Sequence, residues 1–181
     1  MKGLILLANH FEDVEALITI DMLRRAGITI DMASMNNDLN VITQSNITVK
    51  ADILASSINL DDYTFLVIPG GKATFETHHK SALTKNIVKH FNNKKQLVAS
   101  ICAAPSILGM MGLLDGIEYT CFPGCESYMP KAIYKNQDVV VSKNIITSKA
   151  AGTTFKFAYE IIKYLTNEDL AKKVINSVYY K

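Results

Sequence analysis

The residues best suited to chemistry gather around one cysteine. In LVASICAAP, residues 97–105, an apolar and partly β-branched run leads into small residues around Cys102 and then to Pro105, which suits the first turn of a helix. That order predicts a buried strand, a sharp turn carrying Cys102, and a helix. A thiol so placed faces the amino end of the helix, where unpaired backbone N–H groups and the dipole favour a thiolate. Ser100 and Ala104, two residues to either side, leave room for such a turn. By itself the stretch also fits an inert, buried cysteine.

Two other segments carry complementary groups. Glu12, Asp13 and Glu15 follow the first apolar run, and Gly70 and Gly71 close FLVIPGG. Acidic residues in a first helical turn ordinarily serve the dipole, and Pro-Gly-Gly ordinarily makes a turn and nothing more. Glu15 stands apart because it lies among Val14, Ala16 and Leu17. Burial there raises a carboxyl pKa and leaves a group able to hold or relay a proton. The N–H groups of Gly71 and Ala103 are candidate oxyanion donors. Thiol, carboxyl and paired amides are the parts of covalent chemistry on a carbonyl. His10, His78, His79 and His90 are expected to be solvated, since none adjoins the cysteine.

These parts need elements that bring them to one edge. The continuous apolar run at 2–8 predicts a central strand covered on both faces, and 28–35, 65–71 and 97–101 predict further strands. Helices are expected at 12–26, with acids first, Arg24 and Arg25 last and Gly27 as a stop, at 81–92 after Ser81, and at 105–114. The segments 41–43 and 47–50 predict a small hairpin at an edge, 119–122 a short strand and 126–133 one or two helical turns. A second hairpin is expected at 138–142 and 145–148, then a helix from Thr153 or Thr154, then another at 167–178 opened by a capping box of Thr166 and Asp169. Strands alternating with helices imply a doubly wound α/β fold with a mostly parallel sheet and helices on both faces. In such a sheet ligands bind beyond the carboxyl ends of the strands, where all three loaded segments fall.

Bulk properties narrow the partners. A chain of 181 residues that is 49% hydrophobic suits a single domain over 1–181. The net charge of +2 is spread among acids rather than gathered in a stripe, so neither nucleic acid nor an anionic membrane is expected as a partner. The opening MKGLILLA runs at once into Asn9, His10, Glu12 and Asp13, which is no secretory signal, and three cysteines make no disulfide framework; a cytoplasmic location is expected. Cys121 and Cys125 lack a second ligand pair, so no metal is expected. The helix at 12–26 carries more apolar residues than one dry face requires, which predicts burial against a second subunit.

Taken together, FEDVEALITIDMLRRAGI, FLVIPGG, ASICAAP and SKAAGTTFKFA resemble the ThiJ/PfpI family in the branch of the Parkinson-associated protein deglycase, in order and over nearly the whole chain. The resemblance implies a flavodoxin-like fold, a homodimer, Cys102 as nucleophile, Glu15 as its protonated partner, and Gly71 with Ala103 as oxyanion donors. Gly70 and Phe122 are pocket candidates. It further implies a cofactor-free activity of glyoxalase or deglycase type on small aldehydes or glycated side chains. The alternative is a redox-responsive, chaperone-like protein with an oxidation-sensitive Cys102. Ala103 stands where the family's peptidases carry histidine, which disfavours a cysteine peptidase. Phe122 stands where close relatives carry a histidine before proline, and a phenyl ring exchanges no protons.

Overall fold

The computed structural model describes residues 1–180. Along the chain run β1 (Lys2–Leu7), α1 (Asp13–Arg25), β2 (Thr29–Ser34), β3 (Asn40–Ile42), β4 (Thr48–Lys50), β5 (Ile53–Leu54), β6 (Phe65–Ile68), α2 (Ala82–Asn93) and β7 (Leu97–Ile101). Then follow α3 (Pro105–Met110), β8 (Glu118–Tyr119), β9 (Ile133–Tyr134), β10 (Val139–Ser142), β11 (Ile145–Ser148), α4 (Thr154–Leu165) and α5 (Glu168–Ser177). Seven strands form one sheet in the order β10-β11-β7-β6-β1-β2-β5. Every pairing is parallel except that of β10 with β11.

The apolar runs read as they do because the central strands are buried on both faces. In β1, Ile5 and Leu7 pack with Met22 and Leu23 of α1, Phe157 and Ile161 of α4 and Val174 of α5, while Leu4 and Leu6 face Ile87 and Phe91 of α2 and Leu108 of α3. The chain is therefore a flavodoxin-like sheet with a helix layer on each side.

Several local expectations are corrected. The helix from Pro105 stops at Met110, where Gly109 and Gly112 weaken it, and Gly112 takes a φ of +71°. The strand expected at 119–122 is only Glu118–Tyr119, and its partner Ile133–Tyr134 occupies part of the segment expected to be helical, which keeps one 3-10 turn at Glu126–Tyr128. Thr166 does not cap α5: its hydroxyl donates back to Ile162 O at 2.7 Å, and Asn167 accepts from Leu170 N at 2.9 Å. The β3–β4 hairpin is not an edge of the main sheet but a separate ribbon. His10 N donates to Ile42 O at 2.7 Å and Gln44 N to Phe11 O at 2.8 Å, so the ribbon lies against the loop leaving β1.

Candidate active site

Four strands, β1, β6, β7 and β11, deliver their carboxyl ends to one cavity of about 400 Å³. Glu12 and Glu15 come from the start of α1, Gly71 and Lys72 from the turn after β6, Cys102 and Ala103 from the turn after β7, and Ala150, Ala151 and Gly152 from the segment after β11. Gln44 of the ribbon, Phe75 and Phe122 complete the lining.

Cys102 sits in the left-handed region at φ +65°, a conformation that costs a non-glycine residue strain. Its backbone is fixed on both sides. Its N–H donates to Ser148 O at 2.9 Å, and its carbonyl accepts from Phe122 N at 2.8 Å. The turn is the sharp elbow expected from the small residues at 100–104, and it leaves the side chain partly exposed to the cavity.

Glu15 is fully buried. Its Oε2 accepts from Gly70 N at 2.7 Å, its Oε1 has no protein partner, and the carboxyl lies beside Cys102, both being within 3 Å of where a Cβ on Gly70 would stand. Burial pushes this carboxyl from 4.5 up to about 7 against the pull of the neighbouring thiol and of the Gly70 hydrogen bond. Glu12, the N-cap of α1, accepts from Glu15 N at 2.8 Å and is likewise raised, first by burial. Both glycines are required by close approach. A Cβ on Gly70 would lie 2.7 Å from Cys102 Cβ, and one on Gly71, at φ +86°, would lie 2.5 Å from His10 O.

The expected source of thiolate stabilisation is corrected. The helix after Cys102 has only six residues, so its dipole is small, and burial pushes the thiol well above its ordinary value. A charged Glu15 pushes in the same direction, while the nearby Ala103 and Gly71 N–H groups pull the thiol down. Once Glu15 holds a proton that repulsion is gone.

Cys102, Glu15, Gly71, Ala103 and Phe122 meet as expected, with Gly70 packed behind the first two. Glu12, Gln44, Lys72, Phe75 and the 150–152 segment were not selected from sequence; AAG lies inside a recognisable motif, but nothing in its residue types signals a pocket. The histidine expectation is corrected for three residues, of which His90 has a side chain only 20% exposed. His78 is fully buried with Nδ1 at 3.0 Å from Thr84 Oγ1, and burial lowers it from 6.5 to about 4. His79 is half-buried, with Nε2 at 2.7 Å from Ser106 Oγ. Among the described residues no cluster of three or more potential metal ligands occurs, and no helix is long and apolar enough to cross a membrane.

Residues 1–164 match the DJ-1/PfpI family. A protein from Pyrococcus abyssi named a deglycase is 33% identical over 168 residues, covering 91% of this chain and 99% of that one. The Parkinson disease protein 7 homolog of Danio rerio is 30% identical over 177 residues, covering 96% of this chain and 94% of its own. The structure of oxidized Toxoplasma gondii DJ-1 superposes with a TM-score of 0.94 at 33% identity, covering 99% of this chain and 98% of that one.

Proposed function

The chain belongs to the DJ-1/PfpI family, and we propose that it is a cysteine-dependent enzyme acting on small 2-oxoaldehydes such as methylglyoxal, or on their early adducts with protein side chains. The observation that carries this reading is that Cys102, on a strained elbow, and the buried carboxyl of Glu15 stand side by side on the cavity that Gly71 and Ala103 also line. The deglycase name of the archaeal relative supports the substrate class.

Sulfur attacks the aldehyde carbon, forming the S–C bond while the thiol proton passes to Glu15. The carbonyl electron pair moves onto oxygen, which is met by the Ala103 and Gly71 N–H groups and takes that proton back from Glu15, giving a hemithioacetal. Glu15 then removes the hydrogen on this carbon and delivers it to the neighbouring carbonyl carbon, while the hemithioacetal hydroxyl gives its proton to that carbonyl's oxygen and becomes the new C=O, leaving a 2-hydroxyacyl thioester. Water adds to the thioester, the S–C bond breaks, and the thiol regains its proton as a 2-hydroxy acid leaves. The steps use no group beyond protein and water. Phe122, at the cavity wall, contributes an apolar surface and no proton.

The test follows 2-hydroxy acid formation by the wild type, Cys102→Ser and Glu15→Gln. Loss of at least about a hundredfold in each variant is expected from removing the nucleophile or the proton carrier; activity that survives loss of the thiol overturns the reading. A redox role is the second reading, favoured by the partly exposed Cys102 and by the oxidized state of the Toxoplasma neighbour. It predicts selective conversion of Cys102 to a sulfinate by two equivalents of peroxide, visible as a gain of two oxygens in intact mass. As further parts of this proposal the chain works in the cytoplasm as a homodimer. Val14 and Leu17, exposed on α1 beside the buried Glu15, are where a second copy is expected to pack.

A further inference from the structure

The turn that holds Cys102 lacks an ordinary cap. The N-cap of α3 is Ala104, which has no side-chain oxygen, and the next residue is Pro105. The turn is held instead from one residue further on. Ser106 is fully buried; its N–H lies 3.1 Å and its Oγ 2.6 Å from the carbonyl oxygen of Ala103. The hydroxyl's single hydrogen is used in that short contact. Ser106 Oγ therefore accepts from His79 Nε2, 2.7 Å away, which fixes the His79 tautomer with its hydrogen on Nε2.

His79 arrives from a π-helical turn, Thr74–His78, closed by a 2.9 Å bond from His79 N to Thr74 O. Such wide turns recur where a side chain must be re-aimed. Here two successive histidines diverge: His78 points inward to Thr84, and His79 reaches Ser106 between the rings of Phe75 and Tyr128, at centroid distances of 5.2 and 5.0 Å. The imidazole is half-buried, and its one side-chain hydrogen bond among the described residues is to the serine.

We infer that His79 and Ser106 are positioning residues for the nucleophile, a directed run from His79 N–H to Ser106 O–H to Ala103 C=O that holds the turn on which Cys102 is carried. The inference rests on the reading of Cys102 as the reactive thiol. Ala103 has only a methyl side chain, so its orientation is set by its backbone bonds. A chain of hydrogen bonds also stiffens each member through mutual polarisation. Loosening the turn lets the strained Cys102, at φ +65°, relax and moves its thiol relative to Glu15 and the cavity.

The test measures two quantities on His79→Leu, His79→Gln and Ser106→Ala: the pH dependence of Cys102 alkylation by iodoacetamide, and kcat and KM for methylglyoxal. His79→Leu keeps the apolar contacts with Phe75 and Tyr128, and at a half-buried site it is expected to fold. His79→Gln places an amide N–H where Nε2 stands. Losing one such hydrogen bond is expected to lower kcat roughly three- to tenfold with KM unchanged and to raise the alkylation midpoint by roughly half a pH unit. His79→Gln restores both, and Ser106→Ala reproduces His79→Leu. A purely structural role would lower thermal stability alone. If wild-type Cys102 shows enhanced reactivity and His79→Leu leaves its alkylation profile and kcat unchanged, the inference is overturned while the nucleophile reading stands. If wild-type Cys102 has no enhanced reactivity, both fall together.

Discussion

A methyl group at Gly70 would stand 2.7 Å from Cys102 Cβ and 2.8 Å from Glu15 Oε2, closer than such atoms pack. Gly70 does not need a positive φ, so Gly70→Ala leaves its own backbone allowed and presses chiefly on the pair, with Ile101 O next at 3.0 Å. A displacement near 1 Å at reacting groups lowers rate by roughly a hundredfold. Gly70→Ala is therefore expected to fold, by circular dichroism, with kcat down by about that factor; a wild-type rate would refute the tight pairing. Gly71→Ala differs, because φ +86° and the 2.5 Å approach to His10 O make it a folding lesion as well. At this scale the chemistry-bearing residues were legible because their types are unusual for their settings: a carboxyl among aliphatics, a thiol among alanines. His79 and Ser106 were not, since they lie 27 residues apart and only the π-helical turn aims one at the other.

Among elements, legibility followed length and burial. The central strands β1, β6 and β7 are near-continuous apolar runs because helices cover both faces, and such a run survives any uncertainty about which face is which. The two-residue strands β5, β8 and β9 have no period to detect: β5 pairs with the end of β2, and β8 and β9 pair only with each other. The same applies at the start of α5. Thr166 with Asp169 fits a capping pattern, yet Thr166 lies at the end of α4 and spends its hydroxyl on the preceding turn, leaving Asn167 as the cap. Asn167→Ala should therefore cost about 1 kcal/mol in urea unfolding. Thr166→Ala should cost less, since it loses only a partly exposed bond to the last turn of α4. Equal costs, or the reverse order, would return the cap to Thr166.

Across the whole molecule, two buried titratable groups lie on opposing sides of the pH balance. Glu15 has a folded pKa of about 7 against an unfolded 4.5, so between these values the native state holds a proton that the unfolded chain has lost. Stability attributable to it is fully present below 4.5 and is lost as pH rises through 7. His78 has a folded pKa of about 4 against 6.5, so the native state binds fewer protons in that window and its contribution grows as pH rises from 4 to 6.5. Each shift corresponds to about 3 kcal/mol, and the two windows overlap from 4.5 to 6.5, where they nearly cancel. The wild type should thus keep a nearly level stability over the overlap and decline only from 6.5 to 7. Glu15→Gln, which retains an acceptor for Gly70 N–H, leaves the His78 contribution exposed, so stability should climb from pH 4 to 6.5. His78→Asn, which retains a partner for Thr84, should fall steadily from 4.5 to 7. Urea titrations of the three proteins at pH 4.5, 5.5, 6.5 and 7.5 distinguish these slopes, and parallel curves would show that neither group is buried in the charge state assigned to it. The cancellation has a functional consequence: a carboxyl can be held half-protonated beside the nucleophile near neutral pH without making the fold itself strongly pH-sensitive below it.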